Sequence, residues 1–368
     1  MKTKLAICSL VILTTTFCLS CTKGIRDVAW PTTEWKTVTP RQGGMDASVL
    51  DEVDPYVKAN LPEVSSVLVV RNGYITFERY FTGGVDTTRN LWNQTTSVLA
   101  AVLGIAIEQG AINNVDQRMI DFFPEKAASS TDPRVSRITL RHLLTMTDGI
   151  AASGNLLEPF FSDESNCRPL ESEPGSAFNY NVASPDIVSI LMTRATGRMA
   201  ADLAGEFLFG PMGIKEFTWP ESVPIHAWGM AAKKGYSRGW WGLALSTRDM
   251  AKIGHLYLNE GRWDGRQVLP VEWVKESTKA QVATGLSSGY WAGYGFHWWS
   301  CMFGPYEGFY SYGLTGQSVC VVPELKLVTV VTSTDPEAQK VKVRFTDESF
   351  LKYLEFAEKY LIGAARKL

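Results

Sequence analysis

The stretch "RNLWNQTTSVLAAVLGIAIEQGAI" (Arg89–Ile112) decides how this chain is read. From Val98 to Ile107 every residue is apolar or glycine, which predicts a long helix over 93–110 that is buried rather than amphipathic. A polar run, Asn93 to Ser97, opens it. On its N-terminal side, "SSVLVVRNGYITFERYF" (65–81) places two apolar runs around Asn72-Gly73, the pair that a tight hairpin turn demands. Before that, "MDASVLDEVDPYVKANL" (45–61) has helical spacing behind an Asp N-cap candidate.

Beyond the buried helix the chain continues helical. "ITLRHLLTMTDGI" (138–150) is a short helix with a glycine stop. "SPDIVSILMTRATG" (184–197) has Ser184 as N-cap candidate, Pro185 in the first turn and Gly197 past the end. "TRDMAKIGHLYLNEG" (247–261) and "PVEWVKEST" (270–278) are further helices. Strands return in "YGFHWWSC", "GFYSYG" and "QSVCVVPELKLVTVVTS", with a turn near Pro323-Glu324, and "DESFLKYLEFAEKYLIGAA" (347–365) closes the chain as an amphipathic helix. The expected fold is therefore α/β of the α+β type. One antiparallel sheet is built from both termini (about 45–92 and 285–365) and flanked by helices, with an inserted all-helical subdomain (about 93–284).

The 368 residues, 45% of them hydrophobic, are ample for a large core. Thirty-six basic against 38 acidic residues, with no long basic run, argue against nucleic acid as a partner. The four histidines are scattered and no Cys/His cluster has ligand spacing, so no metal or cofactor is expected. Lys2 and Lys4 precede "LAICSLVILTTTFCLS", too short and Thr-rich for a good membrane span, so residues 1–20 read as a signal segment. Ser20-Cys21 followed by polar "TKGIRD" resembles a bacterial lipobox, although Cys18-Leu19 departs from the usual pattern. That resemblance implies lipidation of Cys21, membrane attachment through the lipid and a periplasmic or extracellular domain. A plainly cleaved secretory signal and a retained anchor stay open. Residues 21–44 read as a lipidated N-terminus and tether leading into a domain over 45–365. Cys167, Cys301 and Cys320 would allow one disulfide and one free thiol.

"ITLRHLLTMTDGI", "PGSAFNYN", "FLFGPMGI", "WWGLALSTRDMAKIGHLYLNEGRWDGRQVLPVEWVKEST" and "YGLTGQSVCVVPELKLVTVVTS" together resemble the class C β-lactamase and penicillin-binding-protein-like serine hydrolases. The resemblance spans about 45–360 and implies a sheet, a helical subdomain and an active cleft between them. That family works through S-x-x-K at the start of a buried helix. The serine attacks, and the lysine one turn on faces the same pocket. Leu91-Trp92, Ser97 and "GIAIEQG" (104–110) fix the register, so Asn93 falls at the nucleophile position and Thr96 at the lysine position. A carboxamide cannot form the acyl ester, and a threonine supplies no useful base. In another serine hydrolase, loss of the nucleophile alone costs on the order of 10⁶ in turnover.

The resemblance also implies roles for residues further on. In "FNYNVAS", Tyr180 keeps the general-base position, while Val182 stands where a hydrogen-bonding side chain is usual. In "SYGLTGQ", Ser311, Tyr312 and Gly313 match the third motif, and Leu314 would give one oxyanion N–H, with Asn93 giving the other. A shift of the strand would move this to Leu314–Gly316. Ser97 lies one turn deeper than Asn93, Thr95 points elsewhere, and Thr96 is the better substitute nucleophile. Asn93-Gln94-Thr95 also matches a glycosylation acceptor, a chance match in a buried helix. Asp148, Glu171 and Glu173 read as solvated loop charges at the cleft edge.

Three functions follow as alternatives. One is a catalytically silent relative whose cleft binds a peptide, glycan fragment or acyl compound. Another is a hydrolase of ester or amide bonds with altered residues. The last is a structural or partner-binding protein whose cleft is plugged by Trp92, Trp240, Trp241, Trp298 and Trp299.

Overall fold

The structure is a computed structural model, and it describes residues 28–124, 132–150, 170–222, 235–334 and 351–365. The signal segment, Cys21, Cys167 and His226 lie outside them.

In chain order the strands are β1 (Lys36–Thr37), β2 (Val64–Arg71), β3 (Tyr74–Tyr80), β4 (Thr88–Asn90), β5 (Glu221–Ser222), β6 (Tyr236–Ser237), β7 (Ala244–Ser246), β8 (Arg262–Trp263), β9 (Arg266–Gln267), β10 (Val282–Ala283), β11 (Gly293–Tyr294), β12 (Trp299–Phe303), β13 (Tyr306–Tyr312), β14 (Ser318–Val322) and β15 (Leu327–Ser333). Nine form one sheet in the order β1-β3-β2-β15-β14-β13-β12-β11-β10, so the two ends of the chain meet where β2 pairs with β15. All its pairings are antiparallel except β1 with β3. Asn72 and Gly73 both take left-handed backbone (φ 51° and 80°), which turns β2 into β3 with the right twist.

β2 is buried along all eight residues because helices cover both faces of the sheet. Leu68 and Val70 join Val319, Val321, Val328 and Val330 in one core. The alternate residues Val67 and Val69 join Tyr310, Cys320, Val322 and Val331 in the other. The first core holds the Thr95–Glu108 helix, whose residues 95–106 are all buried, as the apolar run predicts. It also holds the Thr247–Leu258 helix, capped by Ser246. That helix lies so close to the sheet that a Cβ on Gly254 would come within 2.5 Å of Val328 Cγ1. The second core is closed by Leu50, Val53 and Val57 from the N-terminal helices and by Tyr353, Leu354 and Phe356 from the C-terminal one.

Several expectations are corrected. The segment 45–61 forms two helices, Ala47–Asp51 and Val53–Asn60, because Pro55 has no N–H to continue the first. Asp46 does cap the first, accepting from Ser48 N at 3.0 Å. The third helix of the insert spans Ala183–Thr196, with Ser184 inside it. Its capping acceptor is Asn181 Oδ1, 2.8 Å from Ser184 N, and Gly197 ends it in left-handed backbone (φ 69°). Residues 28–44, expected as tether, pack on the domain: β1 extends the sheet, Ala29 and Trp35 are buried, and Ala29 N donates to Asn72 O at 3.1 Å. Cys301 and Cys320 are both buried and unbridged. They stand on β12 and β14 with β13 between them, about 10 Å across two strand spacings, beyond the reach of a disulfide.

Candidate active-site cleft

The start of the buried helix is built by a strained turn. β4 pairs with β7, and Leu91 N donates to Leu243 O at 2.8 Å, which ties the approach to the helix to the strand before Thr247. Trp92 then takes left-handed backbone, φ 49°, and its N–H is held by Asn90 Oδ1 at 2.8 Å. For a bulky side chain this conformation is strained. It is followed by a 3₁₀ turn over Trp92–Gln94 that runs into the Thr95–Glu108 helix. Two further bulky residues near this helix start are also left-handed, Met146 (φ 56°) and His297 (φ 59°). Each is fixed by its backbone: Met146 O accepts from Asn179 N at 2.8 Å and His297 N donates to Leu144 O at 3.1 Å.

These constraints bring the aligned positions together. Asn93, 4% exposed, donates from Nδ2 to the Tyr180 hydroxyl at 3.3 Å. Tyr180 stacks on Trp299 (5.7 Å, 20°) and stands edge-on to Tyr294 (6.1 Å, 86°). Burial lifts its phenol above the ordinary range, and the Asn93 amide pulls the other way more weakly. Thr96 is buried, and its hydroxyl donates to Asn93 O at 2.8 Å. This hydroxyl therefore bonds back into its own helix, which is not the cleft-facing arrangement a substitute nucleophile needs. Ser97 Oγ donates to His297 O at 2.6 Å, and Thr95 Oγ1 is buried without a partner.

The third-motif strand abuts the same turn. Gln94 Nε2 donates to Ser311 O and lies equally close to Ser311 Oγ, both at 3.1 Å. Gly313 sits against Leu91, where a Cβ would fall 2.5 Å from Leu91 O, so only glycine permits the approach. Its N–H donates to Gln317 O at 2.7 Å, while Gln317 Nε2 reaches Asn90 O at 3.3 Å and Ser333 O at 3.1 Å. Among the described residues, the backbone N–H groups of Asn93 and Leu314 donate to no other protein group. Val182 is half-buried beside the helix that follows Tyr180 and offers no polar atom to the site.

Two participants were not visible in the sequence. Tyr294 contacts the Thr96 hydroxyl, and its own hydroxyl lies 3.4 Å from His297 Nδ1. Burial drives His297 down to about 3, so it is a neutral imidazole. Both sit in "YGFHWWSC", where the apolar run signalled strand and no motif marked them.

Asp148 is also corrected. It is 1% exposed, with Ile150 N at 2.8 Å and Ser184 Oγ at 2.6 Å, and its burial pushes it up to about 6. Glu171 and Glu173 are solvated as expected, Glu173 pairing with Arg137 at 2.7 Å. The Asp148 shift has a defined sign. The folded protein holds a proton that the unfolded chain releases near pH 4. The stabilisation is complete below about pH 4 and lost as pH rises through about 6. Asp148→Asn keeps an acceptor for Ile150 N, and Ser184 Oγ can turn its hydrogen to Asn181 Oδ1, 2.8 Å away. We expect this variant to be more stable than the parent at pH 7.5, by about 1–3 kcal/mol, and to lose that advantage by pH 4. Urea titrations at the two pH values measure it; an equal difference at both would remove the buried-carboxylate account.

Of the five tryptophans proposed as a plug, Trp298 is fully buried in the first core against Tyr257 (4.6 Å) and Phe309 (5.3 Å). Trp299 lies in the second core, beneath Tyr180. Trp240 is buried, while Trp92 and Trp241 are half-buried and stacked on each other at 6.2 Å and 21°.

The Beta-lactamase family profile matches residues 53–348, most of the chain. The chain belongs to the beta-lactamase family. It is 23% identical over 299 residues to the 6-aminohexanoate-dimer hydrolase of Paenarthrobacter ureafaciens (73% of this chain, 72% of that one). It is 25% identical over 297 residues to the uncharacterized protein BpOF4_21049 of Alkalihalophilus pseudofirmus, covering 72% and 82% of the two chains. Among solved structures, a Bacillus anthracis protein provisionally described as a 6-aminohexanoate-dimer hydrolase superposes with a TM-score of 0.67 at 17% identity, over 93% of this chain and 90% of that one. A penicillin-binding protein homolog from Caulobacter crescentus gives 0.62 at 16%, over 82% and 96%. These likenesses establish the fold of a beta-lactamase-related serine hydrolase, with the sheet flanked by helices in the expected manner.

Proposed function

We propose that this protein is a catalytically silent member of its family that retains the cleft for binding. The observation that carries the reading is the Asn93 carboxamide, buried at the start of the helix and hydrogen-bonded at 3.3 Å to the Tyr180 hydroxyl. An amide at that point has no proton to give up to a base and forms no acyl ester. Thr96, which takes the lysine position by alignment, is bonded back to Asn93 O and carries no charge. Tyr180, buried and raised, is a neutral phenol rather than a base. What remains is a polar, uncharged pocket with two free backbone donors, suited to holding a neutral ligand oxygen without turning it over. The domain is placed in the cell envelope, on the periplasmic or extracellular face, attached through a lipid on Cys21.

Exposure to a fluorescent penicillin and to a fluorophosphonate, read by intact-protein mass, tests this. The expected result is unmodified protein with both, together with no turnover of nitrocefin or of short acyl esters. One equivalent of adduct would end the reading in favour of an active ester or amide hydrolase.

A further inference from the structure

We infer that the Trp92–Trp241 pair is a stacking platform for an uncharged pyranose ring, so that the cleft ligand is a neutral glycan rather than a peptide or an acyl anion. The inference rests on the binding reading above and names its ligand class.

Trp92 immediately precedes Asn93, is held in strained left-handed backbone, and lies nearly parallel to Trp241 (21°) with both rings half-buried. The clamp from Asn90 Oδ1 to Trp92 N fixes the backbone, and the same oxygen lies 3.4 Å from Gly242 N, next to Trp241. One asparagine side chain therefore ties the backbones of both platform residues together. Trp240 is buried behind Trp241 (5.7 Å), which backs the platform with a third ring. Aromatic faces held rigidly at a rim take the C–H face of a sugar ring with little entropy to lose.

The polar side chains at the helix start agree in charge. Asn93, Gln94, Thr96, Tyr180, Tyr294 and Ser311 are all uncharged side chains. His297 is held neutral by burial. Thr96 and Ser311 occupy the two positions where the family resemblance implies cations, so a ligand carboxylate finds no counter-charge from either. Carboxamide, phenol and hydroxyl groups beside an aromatic face match the alternating hydroxyls and C–H faces of a neutral sugar.

The probe is tetra-N-acetylchitotetraose, titrated into the full chain by calorimetry and by tryptophan fluorescence, with tetragalacturonate as the charged comparison. Saturable binding of the neutral sugar is expected, weakened about 10-fold or more in Trp92→Ala and in Trp241→Ala and kept within about 3-fold in Trp92→Phe, which retains an aromatic face. Circular dichroism and urea midpoints confirm that the variants fold. No saturable binding by the unmodified protein, equal affinity for tetragalacturonate, or binding indifferent to both alanine variants would each overturn the inference. Labelling by the fluorophosphonate is scored separately: it would remove the silent reading, whereas missing sugar binding in an unlabelled protein removes only this one.

Discussion

The Asn93→Ser, Thr96→Lys double variant is expected to form a covalent adduct with a reactive ester or a fluorophosphonate, where the parent forms none. The rest of the acylation geometry is in place. Position 93 lies 3.3 Å from the Tyr180 hydroxyl, and the backbone N–H groups of Asn93 and Leu314 are free. Restoring a hydroxyl gives Tyr180 and the new lysine a proton to remove, and the ammonium beside the phenol lowers the cost of ionising it. Lysine at 96 must thread past Tyr294, which already touches the threonine hydroxyl, so some overpacking is expected, about 1–3 kcal/mol. Loss of a nucleophile is worth on the order of 10⁶ in a working enzyme, so even an imperfect repair is measurable over a silent background. Intact mass over hours reads the result. A double variant that folds but never acylates would mean that the pocket has closed or shifted beyond what two side chains explain.

Trp298→Ala is expected to lower stability by about 3–5 kcal/mol, a large share of a domain's total. Trp298 is fully buried, packed on Tyr257 and edge-on to Phe309, and its removal leaves a cavity between β13 and the Thr247–Leu258 helix. Trp241→Ala, at a half-buried site, is expected to cost about 1 kcal/mol in the same urea titration. Equal losses in the two variants would contradict the division between a core tryptophan and a rim tryptophan. The comparison separates residues that look alike in the sequence, since "GWWG" and "FHWWS" are both aromatic pairs bounded by polar or small residues.

The sequence by itself determined the fold and the register of the site. The apolar run 98–107 could only be a buried helix, Asn72-Gly73 could only be a tight hairpin, and apolar strands at both chain ends required a shared sheet. Those signals are local, because period, turn chemistry and order along the chain are properties of consecutive residues. The positions of Asn93 and Thr96 were legible for the same reason. What only the tertiary structure decided were the contacts between residues far apart in the chain. Asp148 looked like a loop charge until Ser184, 36 residues on, closed over it. Thr96 looked free for the cleft until its hydroxyl was found bonded to Asn93 O, with Tyr294 against it. His297 carried no motif, and its left-handed backbone and burial beside Tyr294 follow from the sheet and the insert meeting around it. Burial sets the charge state of each of these groups, and burial is a property of the packed chain, which no stretch of sequence carries alone.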